Sequence, residues 1–179
     1  MKFFTRDVYN SWYGDFEDER ILMDAYERYS AYLEDLESVL PDHVLELARL
    51  EGVHDGLVVE VAHHRSQRAL CLTLRCGDLV MGYYDLVLRY EDAEISAEDE
   101  RTLAQIARTT RSHRRFEHDL FVHEVDTAKD GRIEHRLLFH PHVWFAIRCR
   151  VLHWEKVGRP NRDLPRMRDR FPGGPVVVP

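Results

Sequence analysis

His140-Pro141-His142 sets two imidazoles around a proline, which in a turn is the beginning of a zinc or iron site. A metal needs further ligands, and His123, His135 and His153 supply them only where strand faces bring them round. Cys76 and Asp78, 64 residues before His140 and His142, are also ligand types. Solvated turn histidines are the simpler reading. Two His-Asp dipeptides, His54-Asp55 and His118-Asp119, are the next pattern. An Asp at a strand entry fixes its turn by bonding nearby backbone N–H groups, and that role is favoured over a shared ligand set. The tandem His-Asp of metal phosphohydrolases belongs on a helix, whereas both copies here open strands. Glu60 and Glu124 recur at the same spacing and would make an acid–base pair if they met. Each lies mid-strand, opposite in phase to Leu57 or Phe121, so an exposed face is expected. Cys149 and His153 are roughly 13 Å apart along a straight strand, too far for direct thiol activation. The chain carries no Gly-rich phosphate loop, G-x-S-x-G or H-E-x-x-H motif.

The other chemistry is charge. Residues 1–100 hold 9 basic and 23 acidic side chains, net −14, while residues 101–179 hold 16 and 9, net +7. Either the halves attract each other or each offers a face to a partner. Glu27, Glu34 and Asp35 head an acidic helical segment that suits a basic protein partner, with electrostatics speeding encounter. The stretch "RTTRSHRR" and the arginines near the C-terminus are the matching basic features. With an overall pI near 5.9, nonspecific nucleic-acid binding is disfavoured.

The elements follow from periodicity. From Phe16 to Leu40, apolar residues at Leu22, Ala25, Tyr26, Tyr29, Leu33, Leu36 and Leu40 make one helical stripe that Pro41 closes. "DHVLELARLEG" predicts a second helix that Gly52 stops, which completes a hairpin over residues 1–52. After His54 the period becomes 2, with Leu57, Val59 and Val61, then Leu70, Leu72 and Leu74, then Leu86, Leu88 and Tyr90. A connecting helix over 94–117 opens with Ser96 as N-cap and buries Leu103, Ile106 and Ala107. Sliding the chain by 64 residues lays His54, Asp55, Val58, Glu60 and Val61 on His118, Asp119, Val122, Glu124 and Val125. At the same offset Val87, Leu88 and Glu91 meet Val151, Leu152 and Glu155, and Tyr90 meets Trp154. Residues 54–93 and 118–157 therefore read as two copies of a three-stranded antiparallel meander. The expected fold is α+β: the two meanders form a six-stranded sheet or small sandwich, packed with the N-terminal helical hairpin and the connecting helix. Residues 158–179, rich in Pro and Arg, read as a tail.

Three cysteines without a C-x-x-C motif give neither a disulfide framework nor a thiolate zinc site. No apolar run approaches the roughly 20 residues that span a bilayer, and "GDFEDER" falls where a signal peptide needs its apolar stretch. A soluble, cytoplasmic protein with no membrane partner is expected. The stretches "MKFFTRDVY", Leu40-Pro41, the first "HD", "LCLTLRCGD", "YYDLVLRYEDAEIS" and "FEHDLFVHEVDTAKDGRIEHRLLFHPHVWFAIRCRVLHWEKV" together resemble one uncharacterised bacterial family, domain of unknown function four-zero-eight-five. The resemblance covers residues 1–157, though this chain is shorter than typical members between its opening and its first helix. It implies a bacterial origin and this fold, and no activity. The expected function is a non-catalytic protein-binding module of the immunity or inhibitor kind, without cofactor, using Glu27, Glu34 and Asp35. The alternative is an enzyme dependent on a divalent metal such as zinc, held at His140 and His142. An exposed edge strand leaves homodimerisation open.

Overall fold

The computed structural model describes residues 1–12, 19–78, 82–111 and 118–159. The predicted helix start at 16–18, residues 112–115 of the basic stretch 108–115 and the Pro/Arg-rich segment from 160 lie outside the described residues. A short helix α1 (Arg6–Ser11) precedes α2 (Glu19–Asp35) and α3 (Asp42–Ala48), and α4 (Ala97–Arg111) follows the first strands. Six residues are too few to show a periodic stripe, so α1 left no signal in the sequence. The predicted stripe of α2 is buried at Leu22, Ala25, Tyr29 and Leu33, but Tyr26 is 40% exposed. Leu36 to Leu40 form turns before Pro41 instead of prolonging the helix, and Pro41 pushes Leu40 itself out of the helical region. Ser96 caps α4 as expected, its Oγ accepting the Asp99 N–H at 3.0 Å.

Seven strands make one antiparallel sheet: β1 (Gly56–His64), β2 (Ala69–Asp78), β3 (Gly82–Glu91), β4 (Asp119–Thr127), β5 (Ile133–Phe139), β6 (Val143–Cys149) and β7 (Val151–Arg159). The order is β6-β5-β4-β1-β2-β3-β7. The expectation of six strands gives way at residues 143–157, where one predicted strand is two. The chain pairs with β5 as far as Cys149, bends at Arg150, and pairs with β3 from Val151. Buried residues fall at 145, 147 and 149 before the bend and at 152 after it. Arg150 thus absorbs a one-residue change of phase that a straight strand would express by turning its apolar side to water.

At an offset of 64, β1 and the start of β2 fall on β4 and the start of β5, but the match to β3 falls on β7, not on β6 beside β5. The matched residues are lateral neighbours there: Leu88 pairs with Trp154 and Tyr90 with Leu152. Their faces are as expected, since Leu88, Tyr90 and Leu152 are buried while Arg89, Glu91, His153 and Glu155 are exposed. The strand also runs to Arg159, two residues into the segment read as a tail.

β1 and β4 join the meanders through Gly56↔Leu120 and Leu57↔Asp119. Only glycine fits at this corner, because a Cβ on Gly56 would lie 2.9 Å from both Cys76 Sγ and the Val53 carbonyl oxygen. Because β6 and β7, at opposite ends of the order, are one residue apart in the chain, the sheet has to bend back on itself. α3 packs on β4 and β7, both from the second half of the sheet's sequence, whereas α4 packs on β1 and β6 and so spans the two meanders. The core between them holds Leu72, Leu74, Leu86, Leu88, Leu137, Phe145 and Ile147, all essentially inaccessible. Each such side chain contributes about 1.5–3 kcal/mol by leaving water. The expected inward set Leu57, Val59 and Val61 is only half-buried, and Val58 takes the core position. A register shift between Val58 and Glu60 reverses the alternation there.

Candidate functional site

Glu27, Glu34 and Asp35 are exposed on α2, and among the described residues none of them makes an ion pair. Asp24 pairs with Arg28, and Glu37 with Arg49. The attraction between the acidic and basic halves acts elsewhere, through Arg159 and Arg132. Asp85 is held by Arg75 and Arg159, and Arg132 reaches both Asp92 and Glu94. Burial alone would raise the Asp85 pKa, but the two guanidiniums outweigh it and hold the carboxyl below its ordinary value.

His140 and His142 flank a cis peptide at Pro141, and both turn toward α1. His140 Nδ1 is 2.6 Å from the Tyr9 hydroxyl, and the His142 ring lies edge-on to Tyr9 at 5.3 Å. Among the described residues no group of three His, Cys, Asp or Glu side chains converges as a metal would need. Cys76 belongs to β2, not to a turn, with its thiol against the Val53 carbonyl at 3.8 Å. The two His-Asp dipeptides meet where β1 joins β4. Asp55 has φ 61° and gives its N–H to the Leu120 carbonyl, while the Asp119 carbonyl accepts the His140 N–H. Both serve the strand entries through main-chain atoms, a different means from the Asp side-chain bonds to backbone N–H groups expected there.

Glu60 is exposed as expected, but Glu124 is fully buried, a correction with a clear cause. The N-terminal segment crosses β4, and Glu124 Oε1 accepts the N–H of Phe3 and of Phe4, each at 2.8 Å, while Oε2 accepts that of Lys2 at 2.8 Å. Arg136, opposite on β5, faces Glu124, Asp126 and Glu134 together. Lys2 adds its ammonium 3.5 Å from the Tyr32 ring centroid and 3.6 Å from Asp126. Burial would raise Asp126, but the Tyr32 hydroxyl, the Thr127 amide and the two cations bring its pKa below the ordinary value. This cluster matches each buried charge with an opposite one or with N–H donors, so its role is to fasten the N-terminus to the sheet.

The inner face of the same strands carries a second polar group that the sequence did not single out as a unit. Tyr90 Oη lies 2.8 Å from His135 Nδ1, and His135 Nε2 lies 3.0 Å from His123 Nδ1. All three residues are buried. Burial pushes the His123 pKa down to about 4, with the Glu124 charge opposing it only in part. His135 is pushed well below the imidazole range by burial and then by His123, and burial raises Tyr90. At neutral pH the row is therefore uncharged. His123 also lines a cavity of about 670 Å³ between α2, the turn after α3 and β4. The sequence does hold a signal for this row, since His123 and His135 sit in the inward phase of their strands beside Val125, Ile133 and Leu137.

Comparison with protein-family models, curated proteins and solved structures finds no match.

Proposed function

We propose that this chain is a non-catalytic protein-binding module of the inhibitor or immunity kind, which takes a basic partner on the outer face of α2. The observation that carries the reading is that among the described residues Glu27, Glu34 and Asp35 make no ion pair, while Arg75, Arg132 and Arg136 are committed to the carboxylates of Asp85, Asp92 and Asp126. Met23, Glu27 and Glu34 share one stripe at helical spacing, and Met23 is 52% exposed. An apolar anchor among unpaired carboxylates suits a partner with a basic rim around an apolar centre. No metal or cofactor enters this reading, and the family resemblance drawn from residues 1–157 and a cytoplasmic bacterial setting belong to it. A duplicated two-stranded unit, β1–β2 and β4–β5, is the part of the repeat retained.

The test compares wild type with the reversal Glu27→Lys, Glu34→Lys, Asp35→Lys as bait in lysate of the source cells, with captured proteins identified by mass spectrometry. Wild type should retain a basic protein that the reversed bait loses and that elutes with rising salt. Identical capture by both baits would reject the acidic face.

A further inference from the structure

The cavity beside β4 is lined by apolar Phe4, Tyr26, Tyr29, Leu33, Val53 and Phe121, by the exposed Arg49, Glu51 and His54, and by one buried imidazole, His123, which is only 6% exposed. Hydrogen accounting along the buried row decides what that imidazole presents. Among the described residues Tyr90 Oη has His135 Nδ1 as its one hydrogen-bond partner, so its O–H donates there and Nδ1 is the bare nitrogen. His135 then carries its hydrogen on Nε2 and donates to His123 Nδ1. His123 in turn carries its own hydrogen on Nε2. The opposite polarity would leave the Tyr90 hydroxyl hydrogen without an acceptor in the core, at a desolvation penalty that native interiors avoid. Among the described residues His123 Nε2 has no protein partner, yet no occluded side-chain nitrogen or oxygen lacks one. That nitrogen therefore opens on the cavity.

We propose that this cavity is a binding site for a neutral, largely apolar small molecule with one carbonyl or ether oxygen that accepts the His123 Nε2–H. Its volume lies inside the range of about 300–1,000 Å³ typical of small-molecule sites, and one buried, fixed donor among apolar side chains sets orientation, with Arg49, Glu51 and His54 exposed to solvent. An anion is disfavoured, because the donor is uncharged, the Glu124 carboxylate lies next in sequence, and Arg49 in the lining is already paired with Glu37. A pure hydrocarbon of the same shape fills the walls but leaves the N–H unmatched, and sites of this kind discriminate on that difference.

The probe is 6-propionyl-2-dimethylaminonaphthalene, a neutral fluorescent aromatic ketone, titrated against the full chain at pH 7. Saturable one-to-one binding with blue-shifted emission is expected. In displacement, 2-propionylnaphthalene should outcompete 2-propylnaphthalene by roughly five-fold, the factor of one neutral hydrogen bond. That preference should vanish in His123→Leu. Ser30→Trp, at an exposed position on the cavity wall, should abolish binding while keeping the wild-type circular dichroism, and it serves even if His123→Leu does not fold. Absence of saturable binding by wild type, equal displacement by ketone and hydrocarbon, or undiminished binding by a folded Ser30→Trp would each overturn the proposal.

Discussion

Acidification from pH 7 to pH 5 should destabilise this fold by about 2 kcal/mol through His123 alone. An exposed imidazole in the unfolded chain titrates near 6.5, whereas burial holds His123 at about 4 in the folded one. Above 6.5 neither state binds the proton and stability is full. Between 6.5 and 4 the unfolded state is protonated and the folded state is not, so each pH unit removes about 1.4 kcal/mol. His135 shifts in the same direction and deepens the loss. The lowered carboxylates Asp85, Asp126 and Glu134 contribute stability that is lost only as pH falls below their unfolded values of 3.8 to 4.5. The window from 6.5 to 5 therefore belongs mainly to the buried imidazoles. Urea unfolding at pH 7 and pH 5, at equal ionic strength and followed by tryptophan fluorescence, reads the difference. The triple variant Tyr90→Phe, His123→Leu, His135→Leu removes the whole row at nearly constant volume, and replacing all partners together avoids stranding one of them. Its stability should change little over that window. A triple variant that loses as much as wild type would refute the assignment to these residues.

Glu124→Ala takes the acceptor from three backbone N–H groups and one of the three carboxylates from Arg136. It should cost about 3 kcal/mol and speed amide exchange at Phe4; a melt within 1 °C of wild type would count against the latch. Ser96→Ala removes the N-cap of α4 and should cost about 1 kcal/mol, which Gly at the same position largely restores. Burial pushes the Cys149 thiol up to about 12, and Cys76 is equally enclosed, whereas Cys71 is half-exposed. Iodoacetamide at pH 8 should therefore alkylate Cys71 first, and comparable labelling of Cys149 in the native protein would contradict this packing.

Most of the local architecture was legible because it is written in periodicity. The α2 stripe, the Ser96 cap and the faces of β3 and β7 each follow from residue type and spacing. What escaped was decided by partners. Alternation runs through Arg150 with only a one-residue slip, and no local pattern announces that the chain leaves β5 there for β3. Glu124 reads as a surface residue because its donors are backbone N–H groups of residues 2–4, which any sequence would offer. The Tyr90, His135 and His123 row joins positions that are 45 and 12 residues apart, so only the register assembles it. His140 and His142, the most conspicuous pair in the sequence, are engaged by a tyrosine from a helix too short to foresee.

The rims of this sheet, and the part of β4 that runs on beyond its pairing with β1, are each plugged at one point by the chain's own side chains and loops. The Tyr29 hydroxyl takes the Val125 N–H on β4, His43 reaches the Leu152 carbonyl on β7, and Glu94 exchanges two backbone bonds with Arg148 on β6. A foreign strand seeking to extend the ladder would first have to evict these plugs, which guards the fold against templated aggregation. At Leu152, Arg148 and Val125 the main chain is thus already spoken for, and a strand that docks there has to break a native bond first.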